Sequence, residues 1–281
     1  MEEVGMSLVS LLRAAWILIT LPIVVGLVPF PGLAWLHTIL TLSNRGKILQ
    51  SNSKLTVPQR FFSHFYAMAI LWTTLLLVAM WSYATTSHVA GGESHANISV
   101  FLLVLMELHL LRRFYETIYV FKYSPSARMH ISGYLLSLLY YALAPLSLCC
   151  NFVPQVFDSV NGRVGMSRPG SDKIWMFVTP FSRLPWYAWI GAVIFLWGWV
   201  HQLCCHRILG SLRDKTKNPE EYVIPYGDWF EYVSSPHYTA EIVANLVYTA
   251  KETQGCDLCI EGSLCKAVRL DHYFVKGKLS L

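Results

Sequence analysis

Apolar residues in this chain fall into long blocks separated by short polar segments, and the blocks have the length of membrane crossings. Residues 7–28 are interrupted only by Arg13, a run sufficient for a span at ~20 residues per crossing. Pro22, Pro29 and Pro31 kink or end it, so the apolar stretch through Leu42 reads as its continuation or as an interfacial return. Further blocks predict spans at about 64–84, 98–111, 131–150 and 185–204, the third short unless it runs on into the polar motif behind it. After Glu241 one more apolar segment covers only about 12 residues, too few to cross alone. The pattern predicts an all-α, multi-pass transmembrane helical bundle of about five full spans plus a truncated sixth, with no internal repeat and no soluble second domain.

The segments between blocks fix an orientation. Residues 44–60 carry Arg45, Lys47, Lys54 and Arg60 with no acidic residue; Arg112, Arg113, Lys122 and Arg128 follow the third block, and Arg207, Arg213, Lys215 and Lys217 follow the fifth. The positive-inside tendency puts these three in the cytosol. The segment 85–98 holds one charge, Glu93, and the turn-rich 151–184 is punctuated by Gly162, Gly165, Pro169, Gly170 and Pro180; both then face the lumen, as does the amino terminus. The acceptor pattern Asn97-Ile98-Ser99 lies on that side but abuts the next span, a poor position for glycosylation.

Composition agrees. With 54% hydrophobic and 14% charged residues and a mean hydropathy of +0.42, the chain is far less charged than the ~25% typical of soluble domains. Its net charge of +5 is dispersed, which excludes a nucleic-acid footprint. Seven cysteines, in the pairs Cys149-Cys150 and Cys204-Cys205 and the trio Cys256, Cys259 and Cys265, do not suggest a disulfide framework and read as reduced. The first block is longer than a signal core and lacks a small-residue cleavage site, so it reads as a retained anchor.

Residues 224–241 are the chemically richest stretch. Pro225, Gly227 and Pro236 forbid one helix, Trp229, Phe230, Tyr232 and Tyr238 are interfacial rings, and Asp228, Glu231, His237 and Glu241 add ionisable groups at the same depth. Irregular polar backbone there is tolerated where it lines a protein cavity. Charge bias gathers this stretch with Ser63-His64, His109 to Glu116 and Gln202 to Arg213 at the cytosolic helix ends. Arg112, Arg113, Arg207 and Arg213 are the cations available for a dinucleotide phosphate. No Gly-x-Gly-x-x-Gly follows a strand, so any nicotinamide cofactor is held inside a helical bundle rather than on a Rossmann cradle.

Four blocks carry a resemblance: Val57-Pro-Gln-Arg-Phe-Phe-Ser-His-Phe-Tyr66, His109-Leu-Leu-Arg-Arg-Phe-Tyr-Glu116, His201-Gln-Leu-Cys-Cys-His-Arg-Ile-Leu-Gly-Ser-Leu-Arg213 and the stretch 224–241. From about residue 8 to about residue 250 the chain resembles the polyprenol reductases of the steroid 5α-reductase family. The resemblance implies an NADPH-dependent reductase of the α-isoprene double bond of polyprenol or polyprenal, in the endoplasmic reticulum membrane with its site facing the cytosol, making dolichol-type carriers for protein N-glycosylation. It also implies NADPH contacts at Arg113, Gln202, His206, Arg213, Tyr232, His237 and Glu241, and no metal. At Gln202, His206 and His237 the steroid-reducing branch more often has Asn, Asp and Asn, and Leu110 replaces its Tyr donor. His64 stands where that branch has Glu, so His64 and Tyr66 are the catalytic candidates, with Tyr115 as an alternative donor. The aldehyde is the chemically easier substrate, because hydride on the β-carbon of an enal pushes charge onto oxygen, whereas an isolated alkene offers no electron sink. The implied partner is a long-chain isoprenoid lipid, which the 14% aromatic content accommodates without selecting it.

The carboxyl-terminal segment departs from the family. Residues 1–250 read as the membrane-embedded reductase domain and 251–281 as a divergent tail, expected to come from an alternative or mis-assigned 3′ end. Cys256, Cys259, Cys265 and His272 match no standard zinc spacing. Two other readings stay open: a steroid enone reductase, against which the Phe62 to Tyr66 and Tyr226 to Pro236 blocks count, and an inactive truncated membrane protein, which the tail favours.

Overall fold

A computed structural model describes residues 2–27, 55–89, 94–124, 126–161, 181–182, 184–215, 224–233, 235–245 and 247. The described chain is mostly helical: α1 (Glu2–Leu27), α2 (Phe62–Val89), α3 (Ser94–Tyr115), α4 (Ile131–Ser147), α5 (Val153–Val160), α6 (Trp186–Lys215) and α7 (Pro236–Asn245). A two-stranded antiparallel ladder, β1 (Thr56–Pro58) with β2 (Arg128–His130), pairs Val57 with Met129. There is no Rossmann sheet among the described residues. The cysteine trio and the tail from 251 lie outside them, as do Leu42 and most of the turn-rich segment; the part of that segment that is described contains α5.

Two helices, Gln59–Thr85 and Trp186–Leu212, are each long and apolar enough to cross a bilayer, with mean hydropathies of 1.7 and 1.5. Residues 131–147 and 150–159 supply a third crossing if the pair, bent by 60°, is one broken span. The apolar helices mark a membrane protein, whereas the expectation of five crossings is met only in part. Exposed apolar side chains fit this reading: Leu71, Leu75 and Val78 on α2, and Trp186, Trp189, Ile190, Val193 and Trp197 on α6, form outward stripes with helical spacing.

The central element is α3. Every residue from Ala96 to Leu103 is buried, so this stretch is enclosed on all sides by its neighbours, most extensively by α2. Asn97 and Ser99 are both fully buried within it. The acceptor at Asn97 is therefore inaccessible, and Asn97→Gln is expected to leave electrophoretic mobility unchanged before and after glycosidase treatment.

Small residues set the approach of α7 to α6. A methyl group built on Gly198 would lie 2.7 Å from the Ala240 carbonyl oxygen and 2.7 Å from the Ala244 nitrogen, and one on Gly191 would lie 2.9 Å from a Val247 methyl. These contacts are with backbone at Gly198, which cannot swing aside. Close helix approach through small residues is the usual packing device inside a bilayer, where apolar burial does not separate lipid from protein. Gly198→Ala is expected to destabilise the detergent-solubilised protein by about 1–3 kcal/mol, the usual range for overpacking, read as a lowered thermal midpoint.

Candidate functional site

The last turn of α3 leads into a five-residue π-helical turn, Glu116–Val120, closed by the Phe121 amide donating to the Glu116 carbonyl at 2.8 Å. Such widened turns need local support. Here it comes from Gly210 of α6, where an added Cβ would sit 2.5 Å from the Val120 oxygen. The π turn thus brings Glu116 directly against α6.

Glu116 is fully buried and is the hub of a polar cluster. Arg112 and Arg113 precede it by four and three residues, spacings that share a helix face; Arg112 Nη1 donates to Glu116 Oε1 at 3.0 Å and Arg113 Nη1 donates to Glu116 Oε2 at 2.6 Å. From α6, His206 Nδ1 lies 2.8 Å from Glu116 Oε2. Burial alone would raise the Glu116 carboxyl, but Arg113, His206 and Arg112 outweigh it and hold the group at about 2. The carboxylate is therefore an acceptor only, and the tautomer that fits carries the proton on His206 Nδ1, although Arg113 Nη1 also approaches that nitrogen at 2.9 Å.

Around this hub α6 and α7 close the cluster. Arg112 Nη2 donates to Gln202 Oε1. The Gln202 amide in turn donates to Glu241 Oε2 at 3.2 Å and to the His237 carbonyl oxygen at 3.3 Å. The His206 and His237 rings are 5.7 Å apart. From α2, the Tyr66 hydroxyl accepts from Arg113 Nε at 3.1 Å, and the guanidinium carbon sits 5.4 Å from the centre of its ring. Two guanidinium groups thus face two carboxylates, Glu116 and Glu241, so the buried charges are near balance.

Of the residues singled out from sequence, Tyr66, Arg113, Gln202, His206, His237 and Glu241 come together from four separate elements. His64 does not join them: it is exposed and packs on Phe61, with ring centres 4.3 Å apart. Tyr232 is 82% exposed and also lies outside the cluster. Arg213 stands in the last turn of α6, and its side chain is outside the described residues. The alternative donor Tyr115 is half exposed, and Leu110 is buried. Sequence reasoning missed Glu116 as the hub, though its spacing from two consecutive arginines was a readable signal.

Two buried donors on this cluster remain unserved among the described residues, Arg112 Nε and Trp199 Nε1. They belong together, since the Arg112 guanidinium carbon lies 5.1 Å from the Trp199 ring centre and Arg112 Nη1 donates to the Trp199 carbonyl at 3.1 Å. Buried donors without acceptors are costly, and a bound polar group would relieve them. No group of three or more His, Cys, Asp or Glu side chains is placed to hold a metal among the described residues.

The 3-oxo-5-alpha-steroid 4-dehydrogenase family matches residues 172–256, which include α6 and α7. Polyprenal reductase 1 of Arabidopsis thaliana is 46% identical over 263 residues, covering 85% of this chain and 82% of the relative. The chain belongs to the polyprenal reductases of the steroid 5α-reductase family. Polyprenal reductase 2 of the same plant is 43% identical, with 85% and 83% coverage, and the Homo sapiens polyprenal reductase is 32% identical, with 86% and 80% coverage. Membership makes this chain an oxidoreductase acting on a CH–CH group, and the Arg113 cluster draws buried ionisable side chains from several elements to the helix ends.

Proposed function

We propose that this protein reduces the α-isoprene double bond of polyprenal with NADPH, on the cytosolic face of the endoplasmic reticulum membrane, on the route to dolichol. The observation that supports it is the convergence of Tyr66, Arg113, Gln202 and Glu241 on one buried cluster at the end of an apolar bundle. The donors present suit a dinucleotide: Arg112 Nε and Trp199 Nε1 offer hydrogen bonds to a carboxamide or ribose oxygen, and Gln202 and Glu241 supply a paired amide and acceptor. The near balance of buried charge leaves phosphate binding to cations nearer the rim, of which Arg207 is exposed on α6 and Arg213 lies further along it. NADPH, when bound, supplies the hydride.

This chain's own residues account for the oxygen of the enal. Hydride arriving at the β-carbon shifts electron density through the α-carbon to the aldehyde oxygen, where a donor lowers the barrier. The Tyr66 oxygen accepts from Arg113 and the hydroxyl also hydrogen-bonds Tyr141, so the phenol turns its proton from Tyr141 to serve that oxygen, and the adjacent guanidinium stabilises the phenolate formed as the proton moves. A proton from water then adds to the α-carbon while the enol hydroxyl returns its proton to the Tyr66 phenolate, which completes a saturated aldehyde and restores the donor. Exclusion of water by the buried walls strengthens each of these interactions. The test is a microsomal assay with labelled NADPH, offering polyprenal, polyprenol and a steroid enone separately. Label appearing in the saturated aldehyde alone is the expected result; transfer to the steroid and not to polyprenal overturns the proposal.

A further inference from the structure

Helix α6 carries two adjacent faces of paired polar residues. Gln202 and His206 form the face turned to Glu116 and α7, as described. One step round the helix, His201 and Cys205 form a second pair that holds the strap 224–233, and the site as described leaves this pair unused. His201 Nδ1 donates to Asp228 Oδ1 at 2.7 Å, and the Cys205 thiol donates to Asp228 Oδ2 at 3.6 Å. The His201 ring stacks on Trp229 with centres 4.6 Å apart and planes 20° apart, while Trp197 closes both rings edge-on at 5.3 and 5.0 Å. Cys205 is fully buried beneath the strap.

The backbone at this point is held in an uncommon conformation. Gly227 has φ 97° and Asp228 has φ 48°, the latter the one positive value at a non-glycine among the described residues. Asp tolerates that region better than most residues but does not choose it unaided, and strain of this kind persists where the surroundings enforce it. The enforcing groups are the ones just named. The strap continues through Ser235, whose carbonyl accepts from the Tyr238 amide at 3.1 Å, directly into the first turn of α7. That turn presents the His237 carbonyl to Gln202, and Glu241 follows one turn later.

We propose that His201 and Asp228 are positioning residues, a latch that clamps the strap onto α6 and thereby sets the register in which α7 presents the His237 carbonyl and Glu241 to Gln202. The latch touches neither reacting atom; it acts on nucleotide binding through α7, and in that respect it rests on the function proposed above. Opening it uncovers Cys205 and loosens the Gln202–Glu241 pair together.

The experiment uses the full chain in microsomes and reads two quantities, maleimide labelling of Cys205 located by peptide mass spectrometry, and the KM for NADPH against kcat with polyprenal. Asp228→Ala and His201→Ala are expected to raise Cys205 labelling about tenfold and the NADPH KM about tenfold, with kcat changed less than about threefold. Asp228→Asn keeps an acceptor for His201 and tolerates the left-handed conformation, so it stays within about threefold of wild type on both readouts. Asp228→Gly relaxes the backbone but lacks the carboxylate, and it is expected to behave as Asp228→Ala. Labelling of Cys205 at the wild-type rate in Asp228→Ala overturns the proposal, as does increased labelling with an unchanged KM, or wild-type behaviour of Asp228→Gly. Cys149 and Cys150 are buried elsewhere in the bundle and serve as the folding control; their labelling alongside Cys205 means global unfolding and equally overturns a local latch. If the wild-type chain does not reduce polyprenal, the functional reading fails by itself. NADPH fluorescence titration then replaces KM in the same comparison, and the latch is still decided.

Discussion

Glu116→Ala is expected to destabilise the bundle by about 3–5 kcal/mol, the cost typical of leaving buried partners of an ion pair uncompensated. The carboxylate is fully buried and receives Arg112, Arg113 and His206 within 3.0 Å, so its removal strands two largely buried guanidinium groups. Chemical denaturation followed by tryptophan fluorescence in detergent measures the loss, and NADPH titration in the same preparation should show weakened binding, since Arg112 also holds Gln202. Glu116→Gln retains shape and one acceptor and is expected to lose less. A loss below about 1 kcal/mol for the alanine variant, the scale of an exposed pair, would remove Glu116 as the hub.

The pH dependence has a definite sign. The Glu116 carboxyl is depressed from 4.5 to about 2 in the fold, so the stability it contributes is fully present above pH 4.5 and is lost as pH falls through about 2. Unfolding midpoints of wild type and Glu116→Gln should therefore differ by a constant amount between pH 7 and 5 and converge only below 4.5.

The apolar blocks at 64–84 and 185–204 were legible because a membrane span is a long, simple signal. Tyr66, Arg113, Gln202, His206, His237 and Glu241 were each found on a motif and each arrives at the cluster. What escaped was short or geometric. The ladder at Thr56–Pro58 and Arg128–His130 is three residues a side, held partly by Arg128 reaching Thr56 Oγ1 at 2.6 Å, and too brief to leave a periodic pattern. The π turn at Glu116–Val120 depends on Gly210, distant in sequence, and the left-handed Asp228 on its contacts with α6. Periodicity reads a helix's own face; it does not show which partner lets the backbone depart from it. The closeness of α6 and α7 follows the same logic, since Gly198 is informative only once Ala240 and Ala244 are known to face it.

Tyr66→Phe is expected to lower kcat about 10²–10³-fold, the effect of deleting one donor to a developing oxyanion, with NADPH affinity nearly unchanged. His64→Ala is the informative comparison. The two residues are two apart on one helix, so they project to nearly opposite sides of it, and both cannot face one cluster. Tyr66 is the one turned inward, buried and bonded to Arg113 Nε at 3.1 Å, whereas His64 is exposed against Phe61. A phenol beside a guanidinium has what proton donation to an enolate oxygen requires: a hydrogen to give and a fixed cation beside the charge it leaves behind. His64→Ala should accordingly cost less than about tenfold in kcat/KM with polyprenal, the loss expected of a residue outside the cluster. Single-turnover reduction with both variants, each saturated with NADPH, isolates the chemical step. If His64→Ala slows that step as much as Tyr66→Phe does, the donor is not Tyr66 alone, and α2 must turn before the reaction to present its other face.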